Sequence, residues 1–384
     1  MIALIPKNLT GLFSRNASSV CKFHASLLLS LRFFSTSSEK QLVTNPAVFD
    51  FLLHKHRFSP QGVSRVASVL TQLKDPENAD SVLLFLRESG FSNTQLEKIV
   101  KCSPRCLGVS LDTTIKPKIK IFQDLGFSSN DIAKIISSNP VILLCNLNTR
   151  AIPALSVLMG LLRSNDDVAK LLRKSAWFLT KDLEKTVVPN IELLESCGMS
   201  MERIVRFLLQ NPRFFLRKPE SLRKSADKAQ EMGINRSSNM FIHAIRVVAS
   251  MSSKTWEAKL QAFRNFGFSE DETRTMFRKA PLLFSGSIKK IKKTKDVLLA
   301  TGKYGLSCIT NNPMSLACSI EKRYKPRLQV LGILENRNLI KRWPGLGTLY
   351  QMPDEKFLEK FVCPYLNEVG EVHILWSSAR EKSA

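Results

Sequence analysis

The feature that most constrains the fold is an interval of fourteen residues from a glycine to a proline, which recurs along the chain. Two related stretches, SGFSNTQLEKIVKCSPRCL at 89–107 and LGFSSNDIAKIISSNPVIL at 125–143, show the pattern. It is found in four pairs: Gly90–Pro104, Gly126–Pro140, Gly198–Pro212 and Gly267–Pro281. A period of about 35 residues predicts an array of supersecondary units, each packed on its neighbours.

Four further units follow the same pattern less closely. A shorter unit has Gly302 and Pro313, and the stretch 161–179 has Ala176 at the proline position. A unit that begins at Met232 has Gly233 and Val247, and the last has Gly332 and Pro344. The sequence therefore predicts at least eight units.

Each unit is predicted to contain three helices. Apolar residues occupy the fifth and fourth positions before the prolines, as at Ile99–Val100 and Ile135–Ile136, which indicates an amphipathic helix between glycine and proline. The glycine permits the sharp turn before that helix, and a following Ser or Asn caps it. The proline starts a short third helix. Its predicted apolar anchors are Leu107, Leu143, Leu179, Phe215, Phe284 and Leu316.

The helix that precedes the glycine is predicted in stretches such as 117–125 and 189–197, which both begin with proline. A proline in the first turn and a glycine just past the end are typical helix boundaries. A single unit cannot bury its apolar side alone, so the predicted fold class is an all-α solenoid of stacked units.

The first 38 residues have the composition of an organellar targeting segment. They contain four Lys or Arg residues and no Asp or Glu, and they are rich in Ser. We therefore predict a transit peptide at 1–38, cleaved near Phe34, with a mitochondrial address favoured over a chloroplast one. The predicted organisation continues with a linker at 39–46, a helical-repeat domain at 47–350 and a C-terminal helical segment and tail at 351–384.

The net charge of +24 predicts attraction to polyanions. Residues 213–295 contain 19 Lys or Arg residues against 7 Asp or Glu residues. Cations here would neutralise phosphates and give a salt-dependent affinity. The candidate contacts in the two densest runs are Arg213, Arg217, Lys218, Arg223, Lys224, Lys289, Lys290, Lys292, Lys293 and Lys295, and weaker candidates at comparable repeat positions are Arg173, Lys174, Lys322 and Arg323.

Aromatic and catalytic signals are sparse. Phe214 and Phe215 lie beside Arg213 and are candidates for base stacking, although Phe215 holds an anchoring position that favours core packing. No phosphate-binding loop, nucleophile elbow or zinc-protease motif occurs, and the eight cysteines lack metal-site spacing. We expect no enzymatic activity, no metal and no cofactor.

The G-F-S…P-x-x-L unit resembles that of the mitochondrial transcription termination factor (mTERF) family, plant branch. So do the stretches SPQGVSRVASVL at 59–70, DSVLLFLRESGFS at 80–92 and SIEKRYKPRLQVLGILENRNLI at 319–340. The resemblance covers about residues 45–365. It implies a right-handed superhelix of mTERF repeats, an organellar location, and nucleic acid bound along a basic groove.

The leading hypothesis is a monomeric mitochondrial protein that binds duplex DNA and regulates transcription, including its termination. One alternative is an RNA-binding factor for intron splicing or transcript maturation. Another is an α-solenoid scaffold for an acidic protein partner. Organellar transcription or splicing proteins are possible further partners, and no membrane association is expected.

Overall fold

Residues 46–69 and 75–369 are described by a computed structural model. Within these ranges the chain is helical and contains no β-strand. The α-helices are α1 Pro46–Asp50, α2 Pro60–Val69, α3 Pro76–Glu88, α4 Asn93–Cys102, α5 Lys116–Asp124, α6 Ser129–Ser138, α7 Ile152–Leu162, α8 Asn165–Lys174, α9 Leu183–Ser196, α10 Met201–Gln210, α11 Pro212–Phe215, α12 Pro219–Glu231, α13 Phe241–Ala249, α14 Ser253–Asn265, α15 Glu270–Lys279, α16 Ile288–Ala300, α17 Leu306–Asn311, α18 Lys325–Asn336, α19 Leu346–Gln351 and α20 Asp354–Phe361.

Short helical segments connect the α-helices. Single-turn 3₁₀-helices cover Pro104–Gly108, Pro140–Leu143, Ala176–Thr180, Pro281–Ser285, Pro313–Ala317 and Cys363–Tyr365. π-turns cover Phe51–Lys55, Leu111–Ile115, Leu147–Ala151 and Ile320–Tyr324. The predicted transit peptide at 1–38 lies outside the described residues. None of the described helices combines the length and apolarity that a bilayer crossing requires.

The chain divides into two compact units. The first extends to Ile191 and includes Met201–Leu216. The second consists of Glu192–Ser200 and the residues from Arg217 onward.

The prediction of all-α helical repeats is confirmed. In the repeat that contains α5 and α6, Gly126 ends the first helix with φ +79°. The Phe127 N–H then donates back to the Phe122 carbonyl at 3.0 Å, which closes a Schellman turn, and Ser128 caps α6. The tripeptide Gly-Phe-Ser thus ends one helix, seals the turn with a buried ring and begins the next helix.

The predicted apolar positions form the interior of the repeats. Ile99, Val100, Ile135 and Ile136 are all fully buried. The six predicted anchors of the short third helices, Leu107, Leu143, Leu179, Phe215, Phe284 and Leu316, are at most 1% exposed. Short helices begin at the predicted prolines because the proline ends the preceding α-helix and starts the next turn.

One repeat differs from the prediction, and another turns without a glycine. Val247, expected at the proline position, lies inside α13, and no short helix follows it. The missing proline alone does not explain this difference, because a short helix begins at Ala176 without one. In the repeat of α7 and α8, Arg163 makes the turn with φ +55° where other repeats have glycine.

The prediction for the last repeat was wrong. Gly332 lies inside α18, and Asn338 makes the turn with φ +55°. Pro344 precedes α19 instead of following a helix, and Leu339, at the fifth position before this proline, is 36% exposed and not part of a buried stripe. Asparagine tolerates the left-handed conformation and can replace glycine at a helix end.

One helix start was also predicted incorrectly. Pro189 lies inside α9 and not in its first turn. By contrast, Pro117 lies in the first turn of α5, directly after the π-turn Leu111–Ile115. Pro153 and Pro326 follow π-turns in the same way. A wider turn before the proline removes the clash between its ring and the carbonyl four residues earlier.

Candidate nucleic-acid interface

The apolar side chains of the segment 213–224 point into the protein. Phe214 is 5% exposed and Phe215 is 0% exposed. Their rings pack edge-on against Phe207, with centroid distances of 5.4 Å and 6.2 Å. Neither ring is available to a base, so the stacking hypothesis for these two residues was wrong. The predicted preference for core packing of Phe215 is confirmed.

Four of the five cations of this segment lie at the start of helix α12 or within its first two turns. Lys218, Arg223 and Lys224 are exposed, and Arg217 is half-buried. Lys224 and Lys228 are four residues apart and therefore share one side of the helix. Arg223 belongs to another side. Arg213 lies before α12, exposed on α11 in the first compact unit.

An open depression of about 380 Å³ lies beside the Lys224 side of α12, within the second compact unit. Its other wall is the chain from Val248 to Ser253. Its lining contains one acidic residue, Glu220, and the cations Arg217, Lys218, Lys224 and Lys228. We call this surface the basic depression.

The floor of the basic depression is a packed aromatic cluster. Trp256 lines it but is only 2% exposed, because its ring packs edge-on against Phe277 with a centroid distance of 5.4 Å. Phe284 stacks on Phe263 at 4.5 Å beneath the same helix. This aromatic cluster fixes α14, so that its first turn faces the cations of α12.

Helix geometry adds to the positive potential of the basic depression. The Ser252 side chain caps α14 by accepting a bond from the Thr255 N–H at 3.2 Å. The N-terminus of a helix carries a partial positive charge. Lys228 contributes less, because its ammonium lies 3.1 Å from Glu257. The arrangement can hold the phosphate groups of a polyanion, with Lys218 and Lys224 as its exposed cations.

Helix α16 carries the second predicted cluster. Lys289, Lys292 and Lys293 are exposed. The Lys290 ammonium donates to the Ala317 carbonyl at 2.7 Å. The Lys295 ammonium lies 3.2 Å from Asp296, is bonded to a main-chain carbonyl, and is largely buried. Four of these five lysines are thus exposed, and one of the four, Lys290, is held by a main-chain carbonyl.

The side chains of the weaker candidates also contact other groups of this same protein. Arg173 forms an ion pair with Asp131 of the preceding repeat, and Lys174 donates to the Leu209 carbonyl at 2.8 Å. Arg323 donates to the main chain of α19, and Lys322 lies beside it, exposed in the same π-turn.

A contact that recurs from repeat to repeat explains why some of these lysines donate to main-chain carbonyls. In several repeats, a polar side chain from the first helix donates to a carbonyl at the end of the short third helix, about 25 residues later. The donor and acceptor pairs are Asn78 with Leu107 and Val109, Lys118 with Leu143, Asn190 with Phe215, Lys259 with Gly286, and Lys290 with Ala317. Carbonyls at a helix end lack partners within the helix, and this contact satisfies them. We call it the carbonyl latch.

The carbonyl latch was not predicted from the sequence, because its donor varies between Asn and Lys. Burial lowers the pKa of the Lys118 and Lys259 ammonium groups. Both lysines belong to the interior of their repeats and not to the binding surface. Lys228 was also missed, although its spacing of four residues from Lys224 on one helix could have identified it.

The described residues also include potential metal ligands and thiols. They contain no group of three or more His, Cys, Asp or Glu side chains that could hold a metal ion. Their cysteines are free thiols, and burial raises the pKa of Cys106 to about 12, which keeps it protonated.

Comparison with known proteins identifies one family. The mTERF family model matches residues 72–358, about three quarters of the chain. No curated protein matches the sequence. The matched region contains the basic depression, the α16 cluster and most of the repeats.

Proposed function

Because this chain belongs to the mTERF family, we propose that it binds double-stranded DNA in mitochondria and regulates transcription there, including its termination. The family consists generally of organellar, non-enzymatic regulators that bind nucleic acid. The basic depression is the observation that supports the site. It combines four cations, one acidic residue and a capped helix start on a packed aromatic floor.

The mitochondrial address rests on the N-terminal segment. Residues 1–38 carry Lys7, Arg15, Lys22 and Arg32 without an acidic residue, which is typical of a transit peptide. The rest of the chain keeps a large positive charge that a targeting function does not explain.

Charge reversal tests this function. The triple variant R217E/K218E/K224E should bind a labelled duplex DNA much more weakly than the wild-type mature chain does. The wild-type affinity should fall steeply as salt rises from 50 to 200 mM. In the variant, the slope of log affinity against log salt should be shallower by roughly 3, because three phosphate contacts are lost. Fluorescence anisotropy across a salt series measures both quantities.

The matched control is K341E/K356E/K360E, which changes the net charge equally at exposed lysines outside the basic depression. An equal loss of affinity in this control would reduce the effect to overall charge and overturn the assignment of the site. Tighter binding of single-stranded RNA than of duplex DNA would favour the splicing or transcript-maturation role. If retention of nucleic acid is unchanged in the triple variant, the scaffold hypothesis is favoured.

A further inference from the structure

Among the Phe, Tyr and Trp side chains of the described ranges, Trp177 alone is exposed, at 42%. It directly follows Ala176, the first residue of a short third helix. The corresponding residues of the neighbouring repeats in the first compact unit lie 36 positions apart along the chain. They are Arg105, Val141, Trp177 and Arg213, and all four are exposed.

The outward orientation of Trp177 is imposed by its neighbours. Phe178 and Leu179 follow it directly and are both 0% exposed, so the third side of this tight helix must face solvent. The buried Asn139 side chain donates to the Ala176 carbonyl at 3.4 Å, which ties the start of this helix to the preceding repeat. The indole is therefore presented by a fixed backbone.

The segments that form the short helices around Trp177 contain no acidic residue of their own, and Asp131, which lies outside them, pairs with Arg173. Four segments surround the short helices of the first unit: 101–109, 137–145, 173–181 and 209–216. None of the chain's 33 Asp and Glu residues falls within them. We call this surface the acid-free edge. Arg105, Lys181 and Arg213 are exposed on it, and the exposed Lys174 donates to a main-chain carbonyl and not to a carboxylate.

We propose that the acid-free edge binds a single-stranded stretch of nucleic acid, with an unpaired base stacked on Trp177 and phosphates beside Arg105 and Arg213. This rests on the proposed function and adds a second surface to it, in the other compact unit from the basic depression. Each nucleotide joins an anionic phosphate to a flat apolar base. The edge offers the complementary pair, cations on either side of an exposed indole.

The test compares four chains and three labelled probes. The chains are wild type, W177A, W177F and L84A, and the probes are a 20-nucleotide RNA, the same sequence as single-stranded DNA, and its duplex. A labelled poly-glutamate peptide serves as a further probe for an acidic protein. Leu84 is the matched control, since it is 43% exposed in the same unit but lies on α3. Melting curves by circular dichroism establish that each variant is folded.

The W177A variant should lose roughly fivefold or more of its affinity for the single strands, because stacking of one base contributes about 1–3 kcal/mol. W177F should retain most of the affinity, and L84A all of it. Duplex affinity should change less than twofold in every variant. A loss confined to RNA or to single-stranded DNA identifies which of the two the edge binds.

The two proposals fail in different ways. If the wild type binds no probe, the proposed function fails, and this inference fails with it. If the wild type binds the duplex with the expected salt dependence but W177A binds single strands normally, only this inference is overturned. Equal losses on duplex and single strands would also overturn it. The same holds if W177A affects only the binding of a poly-glutamate peptide, an outcome that assigns the edge to an acidic protein.

Discussion

At the scale of single residues, the tripeptide that follows the first helix of a repeat carries much of the structural information. Gly90, Gly126, Gly198, Gly233, Gly267 and Gly302 all have positive φ. The following side chain is buried in most of these repeats, as with Phe91 and Phe268. Arg163 and Asn338 adopt the same conformation without glycine. The turn is thus required by the fold, and glycine is its least strained solution.

The same substitution should have opposite effects at two glycines. Gly198 has φ +81° and Gly332 lies inside α18, and at both positions an added Cβ would meet no atom within 4 Å. The G198A variant should lose about 1 kcal/mol of unfolding free energy through backbone strain. G332A should gain about 0.5–1 kcal/mol, because alanine favours a helix interior. Urea denaturation measures the unfolding free energy of both variants. A lower value for G332A than for the wild type would contradict the placement of Gly332 in a helix.

At the scale of elements, the helix starts differ in how they are capped. Ser269 and Glu272 form a reciprocal capping box at α15, with bonds of 3.1 Å and 2.8 Å. Ser287 stands at the equivalent position of α16, but its side chain makes no capping bond. The short third helices are completed by the carbonyl latch, so their ends depend on the first helix of the same repeat.

Removing the two serine hydroxyls tests this difference. The S269A variant should lose about 1 kcal/mol of unfolding free energy, because the Glu272 N–H loses its partner. S287A should change stability by less than about 0.5 kcal/mol, because no capping bond is lost. Chemical denaturation of both variants gives the comparison. Equal losses would show that helix propensity, and not the cap, is responsible.

At the scale of the whole molecule, the stability of a repeat array is approximately the sum of the stabilities of its repeats and of the interfaces between neighbours. Arg327 shows how a polar contact can hold one end of such an array. Its guanidinium is 0% exposed, forms an ion pair with Asp354, and donates to the carbonyls of Leu349 at 2.5 Å and Met352 at 2.7 Å. It therefore joins α18 to α19 and α20.

The R327M variant should lose about 3 kcal/mol of unfolding free energy, because the carboxylate of Asp354 and two carbonyls lose a charged partner. Hydrogen exchange should become faster in α18–α20 and stay unchanged in α4–α8, since stability is local in stacked repeats. K325M is the control, because Lys325 is exposed and pairs only with Glu321 on the same helix turn. Faster exchange throughout the described helices would contradict nearest-neighbour stability.

Most of the repeat architecture could be read from the sequence by itself. The positions of Gly126, Ser128 and Pro140 identify one helix end and two helix starts, because they act through the local conformation of the backbone. The buried stripe at Ile135 and Ile136 follows from helical periodicity. Where such local signals were absent or misplaced, at Val247 and Gly332, the prediction failed.

Only the tertiary structure decided which charges and aromatic rings reach the surface. The sequence places Lys289 and Lys295 in one run, but Lys295 is largely buried beside Asp296 and Lys289 is exposed. Likewise, Phe214 is enclosed, whereas Trp177 faces solvent. The physical reason is that a side chain's role depends on contacts about 25 to 40 residues away in sequence, which local spacing does not encode.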